Sequence, residues 1–403
     1  MKICAVTTWP PHLDGISLYS AQLYEHIGKN AEVKVLANIV NSSAFSGKGS
    51  NSGKGSNIKS RYTVLRCWKR GSITYPFKIF SRILMEKPNI IHLQHGWLLY
   101  GDKFSPPLFP LLLLLLRLIK RPIIVTMHTV IGGEPWLHEN RIINFVAKVA
   151  IIFLTKSIVK LSSRIIVHND LMKKALEDLY SLQEDRWKIF VIPHGVREAP
   201  EKPREIEGNG DIKILSLGFI RREKGIERLI EAFRMFSINC PRAVFIIVGG
   251  RHAHDSEEYI NLVKKRLLNY EVKNIIITGF VDEKTLDRLI WESKIIILPS
   301  LGSHYIEASG SLARVAMYGK PLICSKVPKF KAELEDGKDC VMVELDDPKK
   351  IADVLSLLIN NDVLRKNMGR NLRKKFRDRV WSKVAEQHIK LFKDSLILQR
   401  SSK

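Results

Sequence analysis

Acidic residues are scarce in this chain. Lys and Arg number 65 against 41 Asp and Glu, a formal net charge of +24. Cysteine is thin as well. The five present (Cys4, Cys67, Cys240, Cys324, Cys340) include no Cys-x-x-Cys pair, which argues against a thiolate zinc site or a disulfide frame and points to a reducing compartment. No basic-then-apolar leader precedes the first strand pattern at Lys2–Val6, so no secretory signal is expected. The most apolar run, Pro106–Leu116, is far short of the roughly 18–20 residues that cross a bilayer, and prolines interrupt its start. The phosphate-loop spacing Gly-x-x-x-x-Gly-Lys-Ser/Thr never occurs. The Ser-, Gly-, Asn- and Lys-rich stretch Asn41–Ser60 is therefore expected as a loop with little to bury, not a nucleotide site.

The basic excess is uneven. Between Lys48 and Arg164 there are 19 basic residues against Glu86, Asp102, Glu134 and Glu139, a net of +15. Such a field fits a polyanionic partner: nucleic acid, an anionic membrane or a phosphorylated ligand. It also fits a generally basic surface. No basic-aromatic RNA signature or helix-turn-helix pattern accompanies it, so nucleic acid is not the expected partner. Pro106–Leu116 reads either as a helix under a sheet or as part of a lipid-facing zone. Arg141–Lys160 mixes Ile142, Ile143, Phe145, Val146, Val149, Ile152 and Phe153 with Lys148, Lys156 and Lys160, and fits either a core helix or an interfacial one.

At 403 residues the chain is long enough for two domains with cores of their own. Aliphatic runs alternate with helical patterns throughout, the mark of βαβ units and parallel sheets. In the first half, strands are expected near Ile3–Val6, Val33–Leu36, Ile90–Leu93, Ile123–Thr126, Ile165–Val167 and Ile189–Ile192. The polar stretch 196–210, with its prolines and glycines, is the clearest linker. The expected division is residues 1–195 with 379–403, and 211–378. The last helical pattern is Trp381–Leu398.

The segment Gly218–Phe233 (GFIRREKGIERLIEAF) follows the apolar strand Ile212–Leu217 and opens a helix with Ile226, Leu229, Ile230 and Phe233 on one face. A strand ending in Gly, a basic turn and a helix start suit phosphate, because free N–H groups and the helix dipole add to the charge of Lys224. A solvated surface turn fits the same residues. The segment resembles the Gly-Arg-Leu-x-x-Glu-Lys-Gly run of glycosyltransferase family 4, with Gly218, Glu223, Lys224 and Gly225 matching. Similar landmarks follow in family order: Phe245–Gly250, Ile277–Asp282, Ile295–Ser300 and Gly319–Ile323. The first half adds Trp9–Ile16, Ile91–Gly96 and Ile124–Thr129.

The resemblance implies an α/β protein of two Rossmann-like domains facing across a cleft (GT-B), with the C-terminal helix crossing back to the first domain. It implies a retaining transferase moving a hexose from a GDP- or UDP-sugar donor, with no cofactor and no metal. The acceptor would be a lipid carrier or glycan, and the two apolar segments falling inside the basic zone favour action at the cytoplasmic face of an anionic membrane. By the same resemblance Lys224 contacts the departing phosphate, aided by Arg221 or Arg222 where the family's Arg is replaced by Phe219. Gly15 lies in the glycine loop that closes on the donor phosphate. Phe280 and Val281 lie beside the base, and His128 near the anomeric carbon. The donor loop departs from the family: its second Glu is Arg314 here. Glu307 is left to hold sugar hydroxyls, Ser309 to cap the following helix, and Gly310 and Ser311 to present N–H groups. His95 and His194 are further strand-end candidates, whereas His252 and His254 read as a solvated loop. A sugar-nucleotide epimerase of the same fold and a noncatalytic polyanion-binding protein are the alternatives.

Overall fold

The computed structural model describes residues 1–12, 14–40, 62–101, 105–132, 141–203, 210–250, 257–269, 274–302 and 305–401. The expected loop Asn41–Ser60, and His252 and His254, lie outside them. Contacts divide the chain into two units. Unit 1 comprises Met1–Gly195, His304–Ala308 and Trp381–Lys403, and unit 2 comprises Val196–Ser303 and Ser309–Val380.

In chain order, unit 1 begins with β1 (Lys2–Thr7), α1 (Gly15–Ile27), β2 (Glu32–Asn38), β3 (Tyr62–Trp68), α2 (Tyr75–Glu86) and β4 (Ile90–His95). It continues with α3 (Leu108–Arg117), β5 (Ile123–Met127), β6 (Thr129–Ile131), α4 (Arg141–Leu161), β7 (Arg164–Val167), α5 (Asp170–Asp178) and β8 (Ile189–Val191). Seven strands form one parallel sheet in the order β3-β2-β1-β4-β5-β7-β8. Side chains alternate between its two faces. Ile3 and Ala5 enter a core with Tyr19, Leu23 and Tyr24 of α1, while Cys4 and Val6 enter another with Ile79 and Ile83 of α2 and Leu112, Leu113 and Leu116 of α3. Burial on both faces explains why β4 and β5 read as unbroken apolar runs. The sequence reading missed β3. It is an edge strand, half-buried and carrying Thr63 and Arg66, so it lacks that signal.

Unit 2 contains β9 (Ile212–Leu217), α6 (Ile226–Asn239), β10 (Ala243–Val248), α7 (Glu257–Asn269), β11 (Ile275–Gly279), α8 (Glu283–Glu292) and β12 (Ile295–Leu298). After β13 (Tyr305–Glu307) come α9 (Gly310–Val315), β14 (Leu322–Ser325), α10 (Pro328–Lys331), β15 (Val341–Val343), α11 (Pro348–Asn360) and α12 (Asp362–Phe376), and α13 (Trp381–Ser401) ends the chain. The six strands β11-β10-β9-β12-β14-β15 pair in parallel. Two elements of the second half belong to unit 1. Strand β13 pairs antiparallel with β6, and α13 buries Trp381, Val384 and Phe392 in the core beside α1.

The Gly319-Lys320-Pro321 turn is held from two sides. Gly319 has φ +67, in the left-handed region that favours glycine, and Lys320 Nζ donates to the carbonyls of Trp291 and Ser293 at 2.5 and 2.8 Å. Burial pushes the Lys320 ammonium down to about 8. A Cβ on Gly369 of α12 would lie 1.9 Å from the Gly319 carbonyl oxygen. Alanine normally improves a helix interior by about 1 kcal/mol over glycine. Gly369→Ala should instead destabilise the protein by about 1–3 kcal/mol, because the clash is with backbone. Urea unfolding would show it, and a gain in stability would contradict this packing.

Candidate active site

The carboxyl edge of the unit 2 sheet brings together residues far apart in sequence. Gly218 leaves β9 with φ +132. A Cβ there would lie 3.0 Å from Ser311 Oγ and 3.6 Å from Lys224 Nζ, so a hydroxyl and an ammonium flank this bare Cα. The strand ends press together at the same point. Gly249 has φ +149, and a Cβ on it would fall 1.8 Å from the Gly218 carbonyl oxygen.

The start of α6 differs from the expected open phosphate cradle. A 3-10 turn over Arg222–Lys224 precedes it, and Gly225 bridges in the left-handed conformation. Ile226 is buried, and its N–H donates to Tyr259 Oη at 2.9 Å. Arg222 stacks over the Tyr259 ring, while Arg221 pairs with Glu223 of the same turn. Lys224 is the basic residue of this turn whose side chain reaches Gly218.

The start of α9 has the expected cap. Ser309 Oγ accepts the Leu312 N–H at 3.2 Å. A Cβ on Gly310 would meet nothing within 4 Å. Glu333, which the sequence reading passed over, fixes this cap by accepting the Ser309 N–H, and its second partner is Arg379 Nη1 at 2.5 Å. Burial raises the Glu333 carboxyl even so. Arg314 is turned to another task. It pairs with Glu283 and, at 3.3 Å, with Asp287 on α8, where Arg197 and Tyr318 also converge. Phe280 is 56% exposed and lies over Gly250, and Phe219 meets it edge to face with ring centres 5.8 Å apart. Phe219, read at first only as a missing Arg, thus builds an aromatic corner. Val281 packs partly into the core.

The carboxyl edge of the unit 1 sheet gathers histidines. His128 Nε2 lies 2.7 Å from Gln94 Oε1, an oxygen that only accepts, so Nε2 carries the proton. Its Nδ1 lies 3.1 Å from His168 Nε2, and the other nitrogen of that ring, Nδ1, donates to the Ile192 carbonyl at 3.1 Å. Both ring nitrogens of His128 are therefore engaged inside the protein. Burial first, then the neighbouring His168 and His194, hold this imidazole well below its ordinary range. Gln94 Nε2 donates to Tyr24 Oη at 2.6 Å, and that hydroxyl contacts His92 Nδ1 at 2.9 Å. The rings of His128, His168 and His194 surround Tyr19.

Beyond this network, His95 Nδ1, Trp97 Nε1 and Thr129 Oγ1 are buried without a hydrogen-bond partner. Each such group costs about 1–3 kcal/mol unless something meets it. Thr129 pairs in register with Glu307 through β6 and β13, which places Glu307 in unit 1 instead of the donor-side domain expected for it. Gly15 opens α1, and a Cβ on it would meet nothing within 4 Å. Among the described residues no group of three or more His, Cys, Asp or Glu is arranged to hold a metal ion.

Residues 13–199 match the family profile described as Glycosyltransferase Family 4, and residues 198–375 match that of Glycosyl transferases group 1. The chain belongs to glycosyltransferase family 4. Within curated relatives it is 26% identical over 182 residues to a glycosyltransferase of Methanocaldococcus jannaschii, covering 45% of each chain. It is 22% identical over 326 residues to the alpha-D-kanosaminyltransferase of Streptomyces kanamyceticus, covering 78% of this chain and 80% of that one. The first of these matches thus spans less than half of the relative's own length. The fold is shared with Anabaena HepE, solved in complex with UDP-glucose. That likeness has a TM-score of 0.71 and 12% identity over 98% of this chain and 100% of the other.

The buried histidines of this family member make its stability depend on pH. Burial pushes His95 and His388 down to about 4 and His168 to about 3, from an ordinary 6.5. The unfolded chain takes up protons that the folded chain refuses. Their contribution is full above the unfolded value and is lost as pH falls toward the folded ones, by about 1.4 kcal/mol per histidine per pH unit. Unfolding free energy measured by urea should be level between about pH 7 and 8 and fall steeply from about 6.5 to 5, before most carboxylates titrate. A profile level down to about pH 5 would contradict the neutral assignment.

Proposed function

We propose that this chain transfers a hexose of the mannose or glucose type, with retention, from a GDP- or UDP-sugar to a lipid-carrier or glycan acceptor. The observation that carries this reading is the convergence of Lys224 and Ser311 on the bare Cα of Gly218. A departing diphosphate needs its growing charge met by a cation and by preorganised donors, and that electrostatic share is usually the largest part of catalysis. Lys224 supplies the charge. The Ser311 hydroxyl and the N–H groups of Gly310 and Ser311 supply donors, with Arg221, Arg222 and Gly15 as secondary phosphate contacts. Phe280 and Val281 bracket the base. Glu307 receives sugar hydroxyls beside Thr129, and His128 orients that edge through its network. No cofactor beyond the donor is required. HepE was solved with UDP-glucose, so a UDP-sugar is the first donor to test.

Lys224→Ala should fold normally and lose about 10–150-fold in turnover, the equivalent of one charge-assisted hydrogen bond of about 1.5–3 kcal/mol. Release of the nucleoside diphosphate from UDP-glucose and GDP-mannose measures it. Wild-type turnover in the variant would remove Lys224 from the site. Identification of the products separates transfer from epimerisation, and release of nothing from any sugar nucleotide would favour the noncatalytic polyanion binder.

The proposed place of action is an anionic membrane on its cytoplasmic face, and α4 supports it. This helix has 21 residues and a mean hydropathy of 2.0 in its most apolar window. Thr155, Ile158 and Val159 anchor its last third in the core. Ahead of them Ile142, Phe145 and Phe153 are 74%, 66% and 68% exposed, and Val146 and Val149 are exposed beside them. Burying side chains of this size in lipid gains about 1.5–3 kcal/mol each, and Lys148, Lys156 and Lys160 of the same helix suit anionic head groups at about 1 kcal/mol each. Leu114 and Leu118 at the end of the neighbouring α3 are exposed too, although Phe109, Leu112, Leu113 and Leu116 of α3 are core. Because its far end is anchored, the helix would dip into one leaflet. Flotation should recover the protein with anionic vesicles, less so as salt rises. Phe145→Asp with Phe153→Asp, or Glu at Lys148, Lys156 and Lys160, should abolish recovery. Equal recovery on neutral vesicles, or no loss in either variant, would count against docking.

A further inference from the structure

The edge of the unit 2 sheet leaves an apolar recess that the scheme above does not use. Strand β11 is paired on one side only, with β10. Helix α7 packs on α6 and buries Tyr259 and Val263 in the core. Between α7 and β11 the packing stays open. Ile260, Leu267, Ile275 and Ile277 are only half-buried against that core. With Ile220 and Val263 they line a cavity of about 340 Å³, and Lys264 completes its lining. Small-molecule sites have this size and this make-up, mostly apolar with a few polar groups that fix orientation.

The lining sets the chemistry of an occupant. Aliphatic walls disfavour a sugar or a nucleotide, whose polar groups would lose water without gaining partners. They favour a hydrocarbon chain, which gains from the area it removes from water. Lys264 is exposed, so its charge stands at the open side. No acidic residue lies three or four positions from it on α7, where Ile260, Asn261, Leu267 and Leu268 stand, and Lys265 and Arg266 follow it. A head group at this end therefore meets positive charge, which selects an anion. The recess also touches the donor edge. Ile220 belongs to the turn between Gly218 and Lys224, and its N–H donates to the Gly250 carbonyl at 3.0 Å. Ile277 stands two residues before Gly279, whose carbonyl accepts the Gly249 N–H at 3.0 Å. The cavity thus lies against the backbone that carries Lys224 and Phe280.

We propose that this recess binds an anionic single-chain amphiphile, its hydrocarbon between α7 and β11 and its head group at Lys264. Binding itself is independent of the transferase reading, whereas its effect on the donor turn rests on that reading. A chain that fills the space beside Ile220 braces the turn that carries Lys224. Amphiphile and nucleoside diphosphate then tighten each other by one and the same factor.

The test titrates the full chain with dodecanoate, below its critical micelle concentration, by calorimetry. One equivalent should bind saturably, and Phe145→Asp with Phe153→Asp on α4 should leave it in place. Ile277→Phe fills the recess at unchanged charge and should remove it. Lys264→Glu, at an exposed position, should weaken it about fivefold or more. Dodecyltrimethylammonium should bind more weakly than dodecanoate, and equal affinity for it would overturn the placing of an anion at Lys264. Equal dodecanoate binding in Ile277→Phe would put the amphiphile on the basic surface and overturn the proposal. Should that variant not fold, undiminished binding in Lys264→Glu would overturn it instead, as would no saturable binding by the wild type. With dodecanoate bound, UDP should bind about fivefold tighter or more, and an unchanged UDP affinity would overturn the coupling. A wild type that binds dodecanoate but no UDP would overturn the donor reading and uphold the recess as a site.

Discussion

At Gly218 the chain passes close to two neighbours in a conformation that favours glycine. Its carbonyl oxygen sits where a Cβ on Gly249 would be, and its own Cα faces Ser311 Oγ and Lys224 Nζ. Its φ of +132 is open to glycine and strained for other residues. This crossing point sets the edge of unit 2. Strands β9 and β10 end together, α9 starts beside them, and an ammonium and a hydroxyl point at one bare patch of backbone. The local polar groups are settled around it: Glu333 takes the Ser309 N–H and Tyr259 takes the Ile226 N–H. Two neighbouring arginines make other contacts, Arg222 with the Tyr259 ring and Arg314 with Asp287 on α8.

Unit 1 solves a different problem. Its central strands carry polar side chains into a dry interior, and burial of such groups is tolerated only when they satisfy one another. Thr126, His92, Tyr24, Gln94, His128 and His168 do so in one chain of contacts. Tyr19 and Trp381 close over its end, so α13 lids the histidines as well as burying its own apolar face. Gly195 has no side chain because the Trp381 ring occupies that place, a Cβ there falling 2.3 Å from it. His95, Trp97 and Thr129 lie outside this accounting, and their unmet groups sit on the edge where a polyhydroxylated substrate would supply partners.

Much of this was legible before any coordinates. Strand Ile212–Leu217 was readable to the residue, and so was the cap at Ser309, because each rests on local pattern. What stayed hidden depends on distant partners. Strands β6 and β13 have three residues each, too short for any period, so the transfer of Glu307 to unit 1 left no mark in the sequence. The Thr-x-His motif marked His128 as a strand-end residue, but not that Gln94 and His168 would claim both of its nitrogens. Another strand-end histidine, His168 after β7, was the signal available for that network. The cap on Ile226 comes from Tyr259, 33 residues away. Helix α4 is apolar nearly all round, a pattern shared by buried and lipid-facing helices, and only its exposure separates them.

The central claim is that a nucleoside diphosphate sits over Gly218. The most direct measurement is a structure of the full chain soaked with UDP. The account predicts the terminal phosphate within about 3 Å of Lys224 Nζ and of the Ser311 hydroxyl or N–H, with the base beside Phe280. A diphosphate seated away from Gly218, with Lys224 untouched, would contradict it.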